Sequence, residues 1–75
     1  MKAKLEFNLP EDSVEFEMAT NASYMHSVIW DMDQWLRGKI KHAPNDMSDD
    51  KYETYSECRE MLIKLITENN INLDI

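Results

Sequence analysis

Residues 3 to 9 alternate strictly between apolar and polar side chains. The apolar members are Ala3, Leu5, Phe7 and Leu9, and the polar members are Lys4, Glu6 and Asn8. A period of two places the apolar side chains on one face of an extended chain. The pattern therefore predicts a half-buried first strand that ends before Pro10.

From residue 14 onwards the apolar positions recur every three or four residues, which is the period of an amphipathic helix. They are Val14, Met18, Ala22, Met25, Ile29, Met32, Leu36 and Ile40. Asp12 and Glu15 have the spacing of a capping box, which predicts a helix start near residue 11 or 12. The sequence His42-Ala43-Pro44 predicts its end at about residue 41.

A turn-rich segment, residues 43 to 50, separates this helix from a second one. Ser48, Asp49 or Asp50 is the expected cap of the second helix. Its apolar side consists of Tyr52, Tyr55, Leu62 and Ile66. The helix is predicted to run to about residue 69, where two asparagines break the pattern.

Residues 71 to 75 alternate again, which predicts a short second strand. The order β-α-α-β indicates an α+β fold class, with a long helical hairpin packed on a small antiparallel sheet formed by the two terminal strands. A chain of 75 residues fits a single domain, residues 1 to 75. Because two strands leave unpaired edges, a homodimer is also expected.

The charge balance is strongly acidic, with fifteen Asp and Glu against eight Lys and Arg and a formal net charge of −7. This charge disfavours direct contact with nucleic-acid phosphates or anionic lipid, and favours a protein partner with a basic surface. DNA binding through the two helices is also disfavoured, because only Arg37, Lys39 and Lys41 form a basic cluster. The sequence has no signal-peptide block and no apolar run of membrane-spanning length, so a cytoplasmic location is expected.

Motifs that carry chemistry are scarce. Gly38 is the only glycine, which excludes glycine-rich phosphate loops. Cys58 is the only cysteine and is interpreted as a small core residue, since no second cysteine and no nucleophile elbow accompany it. His26 and His42 are too far apart for a shared metal site. We therefore expect no catalysis, no cofactor and no metal.

One stretch of the sequence has the ligand spacing of a calcium-binding loop, but a loop followed by a helix is the favoured interpretation. Its ligand positions are Asp46, Ser48, Asp50, Tyr52, Thr54 and Glu57. Lys51 replaces the glycine that the sharp turn requires, and the residues after 50 favour a helix. An enzymatic alternative would need Asp31 and Asp33 to converge with loop acids around a metal.

Acidic side chains gather on the second helix. Glu53, Glu57 and Glu60 follow helical spacing, and Asp49 and Asp50 precede them. One interpretation is a phosphate-like row that binds a basic groove by charge complementarity. The alternative is a solvated helix face that keeps the protein soluble.

An aromatic patch is predicted on the first helix. Trp30 lies off the apolar stripe and shares its face with His26, Asp33 and Arg37. Because Trp and Arg are enriched among interface hot spots, this patch is a candidate contact surface. The alternative is that the helix is buried on two sides. Trp35 is expected to pack under the second helix or the sheet.

Three segments resemble a group of small acidic phage and prophage proteins of uncharacterised role. They are Lys4-Leu-Glu-Phe-Asn-Leu-Pro-Glu-Asp12, Ile29-Trp-Asp-Met-Asp-Gln-Trp-Leu-Arg37 and Ile71-Asn-Leu-Asp74. The resemblance implies a phage or mobile-element origin and carries over no established site. Small acidic phage proteins often inhibit host enzymes or defence complexes, as anti-CRISPR proteins do.

The net charge, the acidic side chains of the second helix and the resemblance to phage proteins together lead to one functional hypothesis. The chain is expected to be a non-enzymatic inhibitor or adaptor that docks on a basic, nucleic-acid-binding surface of a host protein. The alternative is a small homo-oligomeric assembly module with no distinct target.

Overall fold

The computed structural model describes residues 1–74 and contains three helices. They are α1 (Ser13–Thr20), α2 (Ala22–Lys41) and α3 (Asp49–Glu68). No strand is present in this part of the chain, so the predicted α+β fold with its antiparallel sheet is wrong. The helical hairpin itself is confirmed, since α2 and α3 pack against each other, α3 lies close to its predicted bounds and α2 ends at the predicted residue.

Both predicted strands are irregular chain in the structure. Residues 3 to 8 have no regular structure and residues 9 to 12 form a turn. Phe7 is half-buried and packs edge-on against Phe16 with ring centroids 5.6 Å apart, whereas Leu5 and Leu9 are exposed. Asn8 N donates to Asp12 Oδ2 at 2.8 Å, and Asp12 N donates to the Asn8 carbonyl at 2.7 Å. These are local turn contacts, not the ladder of backbone hydrogen bonds that a strand requires. Residues 71 to 74 form no strand either, and residue 75 lies outside the described residues.

The predicted first helix is divided at Asn21, whose φ of −95° and ψ of 1° depart from helical values. The hydrogen-bond ladder continues through this point, since Asn21 N donates to the Glu17 carbonyl and Met25 N to the Asn21 carbonyl. The Thr20 hydroxyl also donates to the Glu17 carbonyl, at 3.1 Å. Thr and Asn are weak helix formers that compete for backbone groups, so the apolar period continues while the helix bends.

Helix α3 has well-defined ends. The hydroxyl of Ser48 accepts a hydrogen bond from Lys51 N at 3.2 Å, which confirms an expected N-cap. At the other end Asn70 has a φ of 54°, a left-handed conformation that Asn tolerates. Asn70 N donates to the Thr67 carbonyl and Ile71 N to the Ile66 carbonyl, the pattern of a Schellman motif. The chain is thereby turned back toward α2.

An ion pair and an aromatic pair join α2 to α3. Arg59 Nε donates to Asp33 Oδ1 at 3.2 Å, and the rings of Trp35 and Tyr55 meet edge-on with centroids 5.8 Å apart. Leu36, only 5% exposed, is the one buried apolar residue in the chain from 1 to 74. The helices are antiparallel, because residue 33 meets residue 59 while residue 35 meets residue 55.

The molecule is elongated, with principal extents of 56 × 29 × 19 Å and a radius of gyration of 17.6 Å. A compact chain of this length has a radius of gyration of roughly 11 Å. No helix within residues 1–74 combines the length and apolarity needed to cross a bilayer. A two-helix hairpin with a single buried leucine leaves most of its apolar side chains without cover.

Candidate protein-binding surfaces

The three glutamates Glu53, Glu57 and Glu60, here called the acidic row, are exposed on α3. Glu57 lies two residues from both Tyr55 and Arg59, which contact α2. Two residues correspond to a rotation of about 160° to 200° around a helix. The acidic row therefore points away from α2.

Within residues 1–74 the acidic row has no ion-pair partner. The ion pairs found within residues 1–74 are Arg59 with Asp33 and Lys64 with Glu68. The row extends over about 10 Å of helix and its like charges oppose one another. Lys64 lines a shallow depression with Glu57, Glu60 and Met61 but pairs with Glu68 instead. The row is thus a run of exposed carboxylates, and the one cation that lines this depression, Lys64, lies 4.0 Å from Glu68.

Asp49 and Asp50 occupy the first turn of α3 and are exposed. Carboxylates at this position are stabilised by the partial positive charge of the helix N-terminus. Their placement consequently has a structural reason that the acidic row lacks.

The predicted aromatic patch is only partly present. Trp30 is 45% exposed and Arg37 is exposed. His26 is half-buried, and its Nε2 donates to the Asn72 carbonyl at 2.8 Å. Leu73 lines a depression together with His26 and Trp30. The C-terminal tail therefore occupies part of the patch, and His26 holds that tail.

Asp33 was predicted to belong to this patch, and that assignment is wrong. It is 9% exposed and bonded to Arg59 between the helices. Sequence spacing cannot detect such an inward carboxylate, because its partner lies 26 residues away. The acidic row and the Trp30 patch also do not form one surface, since Trp30 lies on α2 and the row lies on the far side of α3.

A third surface was not predicted. Six apolar residues, here called the open face, are between 48% and 66% exposed. They are Met25, Val28, Met32 and Trp35 of α2 and Met61 and Leu65 of α3. Lys39 Nζ lies 5.3 Å from the Trp35 ring centroid, a cation–π contact at the loop end of this surface.

Helix geometry places the two halves of the open face on the same side of the hairpin. The side of α2 that faces α3 contains Ile29, Asp33 and Leu36, here called the inward line. Each of these residues is preceded by one residue of the open face, namely Val28, Met32 and Trp35. Likewise Met61 and Leu65 each precede the half-buried Leu62 and Ile66. One position is a rotation of about 100°. In antiparallel helices the two equal offsets turn toward the same side.

The predicted apolar stripe of α2 is only partly buried. Met25 and Met32 belong to that stripe, and Trp35 is expected to be packed, but the structure exposes all three. It buries Leu36 and half-buries Ile29, which are members of the same stripe. Together with Trp35, the apolar positions of α2 form an arc that is wider than one partner helix can bury. This width is the sequence feature that could have predicted an exposed apolar face.

No metal centre forms around the candidate ligands. Residues 50 to 57 of the calcium-like spacing lie within α3, and no group of three or more His, Cys, Asp or Glu side chains in the described chain has a metal-binding arrangement. Cys58 is exposed, so its assignment to the core is wrong.

Comparison with protein-family models, curated proteins and solved structures finds no match for this chain.

Proposed function

We propose that this chain is a non-enzymatic, protein-binding inhibitor or adaptor of phage or mobile-element origin that acts in the host cytoplasm. Its acidic row docks on a basic, nucleic-acid-binding surface of a host enzyme or defence complex. The uncompensated charge of Glu53, Glu57 and Glu60 carries the proposal. Such a row attracts a basic groove over the Debye length and selects against acidic partners.

The arrangement also gives the partner surface a shape. The row lies on one side of a straight, twenty-residue helix and points away from the hairpin. A partner groove therefore contacts α3 along its length without displacing α2. Trp30 and Arg37 are exposed on α2 and add a second contact for a partner that reaches across the hairpin.

The test is affinity capture from a nuclease-treated bacterial lysate on immobilised wild-type protein. The variant Glu53→Gln/Glu57→Gln/Glu60→Gln neutralises the acidic row, and Glu11→Gln/Glu15→Gln/Glu17→Gln is its control. Both triple variants change the formal charge from −7 to −4, but the control residues are exposed and belong to α1 or the segment before it. Bound proteins are eluted with a short DNA duplex and identified by mass spectrometry.

We expect the amount of partner protein eluted by DNA to be at least about tenfold lower for the row variant than for wild type, because opposite charges steer and hold the complex. The control should retain it. Equal losses in both variants would mean that only net charge matters. Equal retention by wild type and row variant would remove the acidic row from the function.

A second candidate, a homo-oligomeric module with no separate target, is favoured by the open face. The same capture distinguishes the two candidates. Recovery of only the chain's own copies in every eluate would support the assembly module and contradict the inhibitor.

A further inference from the structure

We propose that the open face is the interface of a symmetric homodimer. Two hairpins pack these faces together, and their α2 and α3 helices form a four-helix bundle. This inference does not depend on the proposed docking of the acidic row, none of whose residues belongs to the open face, although Glu57 and Glu60 border Met61 in one depression.

The accessible surface of the single chain is larger than that of a compact monomer of the same mass. Its accessible surface is 6724 Å², whereas a compact monomer of 8.9 kDa exposes roughly 4,800 Å², a difference of roughly 1,900 Å². Some of the difference belongs to the extended residues 1 to 12. The difference, taken over the whole chain, exceeds the roughly 800 Å² that each partner buries in a standard interface.

The chemistry of the open face fits a second copy. In a symmetric interface, residues near the twofold axis meet their own counterparts, so a charge there would face the same charge. The charged side chains near the open face lie at its borders: Lys39 is beside the Trp35 ring at the loop end, and Glu57 and Glu60 are beside Met61. Asp31 borders the surface beside Val28, Met32 and Trp35, on the outer margin where solvent can reach it.

The three methionines of the open face, Met25, Met32 and Met61, also suit self-packing. Methionine is flexible and fills irregular gaps, and identical side chains from two copies can interdigitate. Two layers, one from each hairpin, then enclose a core that one hairpin cannot form. Helix pairs joined by short loops commonly combine in this way.

The test compares full-length wild type with Met32→Glu by light scattering after size exclusion. Wild type is expected at twice the chain mass of 8.9 kDa. Met32→Glu places a carboxylate in the middle of the open face and is expected to weaken self-association at least about 100-fold. Ser27→Glu is the matched control, because it adds the same charge at an exposed α2 position away from the open face. It should remain dimeric.

Because folding and association can be coupled, helix content is recorded by circular dichroism. Val28→Ser is the second, milder variant, and it is expected to stay helical and to weaken association about tenfold. Alkylation of Cys58, which lies beside Met61 on the exposed flank of α3, should slow as wild-type concentration rises. A wild type that is monomeric throughout, or a Ser27→Glu variant that dissociates as readily as Met32→Glu, would overturn the proposal.

The two proposals can fail separately. Neutralising the acidic row should leave the dimer intact or tighten it, since none of its residues belongs to the open face and Glu57 and Glu60, which border Met61, would lose a like-charge repulsion between the copies. A dimer that persists while capture fails would contradict only the inhibitor. Capture by a strictly monomeric chain would contradict only the dimer.

Discussion

Leu36→Ala is expected to lower the free energy of unfolding by about 2–4 kcal/mol. Leu36 is 5% exposed and is the one buried apolar residue between positions 1 and 74, so its removal leaves a cavity between α2 and α3. The loss is a large fraction of the roughly 5 kcal/mol that holds a small domain together. Urea unfolding followed by circular dichroism at fixed chain concentration measures it.

Leu5→Ala is the control for this prediction, because it removes the same atoms from a side chain that is 80% exposed. Its expected effect is within about 0.5 kcal/mol. A Leu36→Ala effect as small as the control's would contradict the packing of α2 on α3.

Arg59→Ala is expected to destabilise the protein more than Asp33→Ala. Removing Arg59 leaves the Asp33 carboxylate, whose side chain is 12% exposed, without its partner, which costs about 3 kcal/mol. Removing Asp33 leaves a guanidinium that is 31% exposed and can bond to water. That variant should lose about 1–2 kcal/mol.

The same unfolding experiment tests the asymmetry. Arg37→Ala is the matched control, since it removes an exposed arginine from α2 and should change stability by less than about 0.5 kcal/mol. If Asp33→Ala proved the more damaging change, the carboxylate would not be the more deeply buried partner.

The hairpin could be predicted from the sequence because its signals are local. Helical periodicity, the turn-rich segment and Ser48 each act over a few residues. Helix α3 begins and ends close to where these signals place it, and α2 ends at the predicted residue. The start predicted near residue 11 or 12 belongs to α1, because the predicted first helix is divided at Asn21. The strands could not be predicted safely, because alternation describes only how side chains are distributed. A strand also needs a neighbour for its backbone, and residues 3 to 8 have none.

Some features of the protein surface could likewise be predicted from the sequence, and others could not. The acidic row and Trp30 were predicted to lie off the core, and both are exposed. Asp33 was misplaced because an inward carboxylate contradicts the apolar pattern unless Arg59 is known to meet it. The open face was missed because the apolar stripe of α2 is wider than the part that α3 covers, and only the position of α3 decides that Leu36 is buried while Met25 and Met32 are exposed.

The most direct test of the account is sedimentation equilibrium of the wild-type chain at low and high salt, about 50 mM and about 500 mM. The proposed interface consists of apolar residues and joins two chains that each carry a charge of −7. It therefore predicts a dimer at both salt concentrations, and a tighter dimer at high salt, where the charge repulsion between the chains is screened. A chain that sediments as a monomer of 8.9 kDa, or a dimer that dissociates at high salt, would contradict the assignment of the open face.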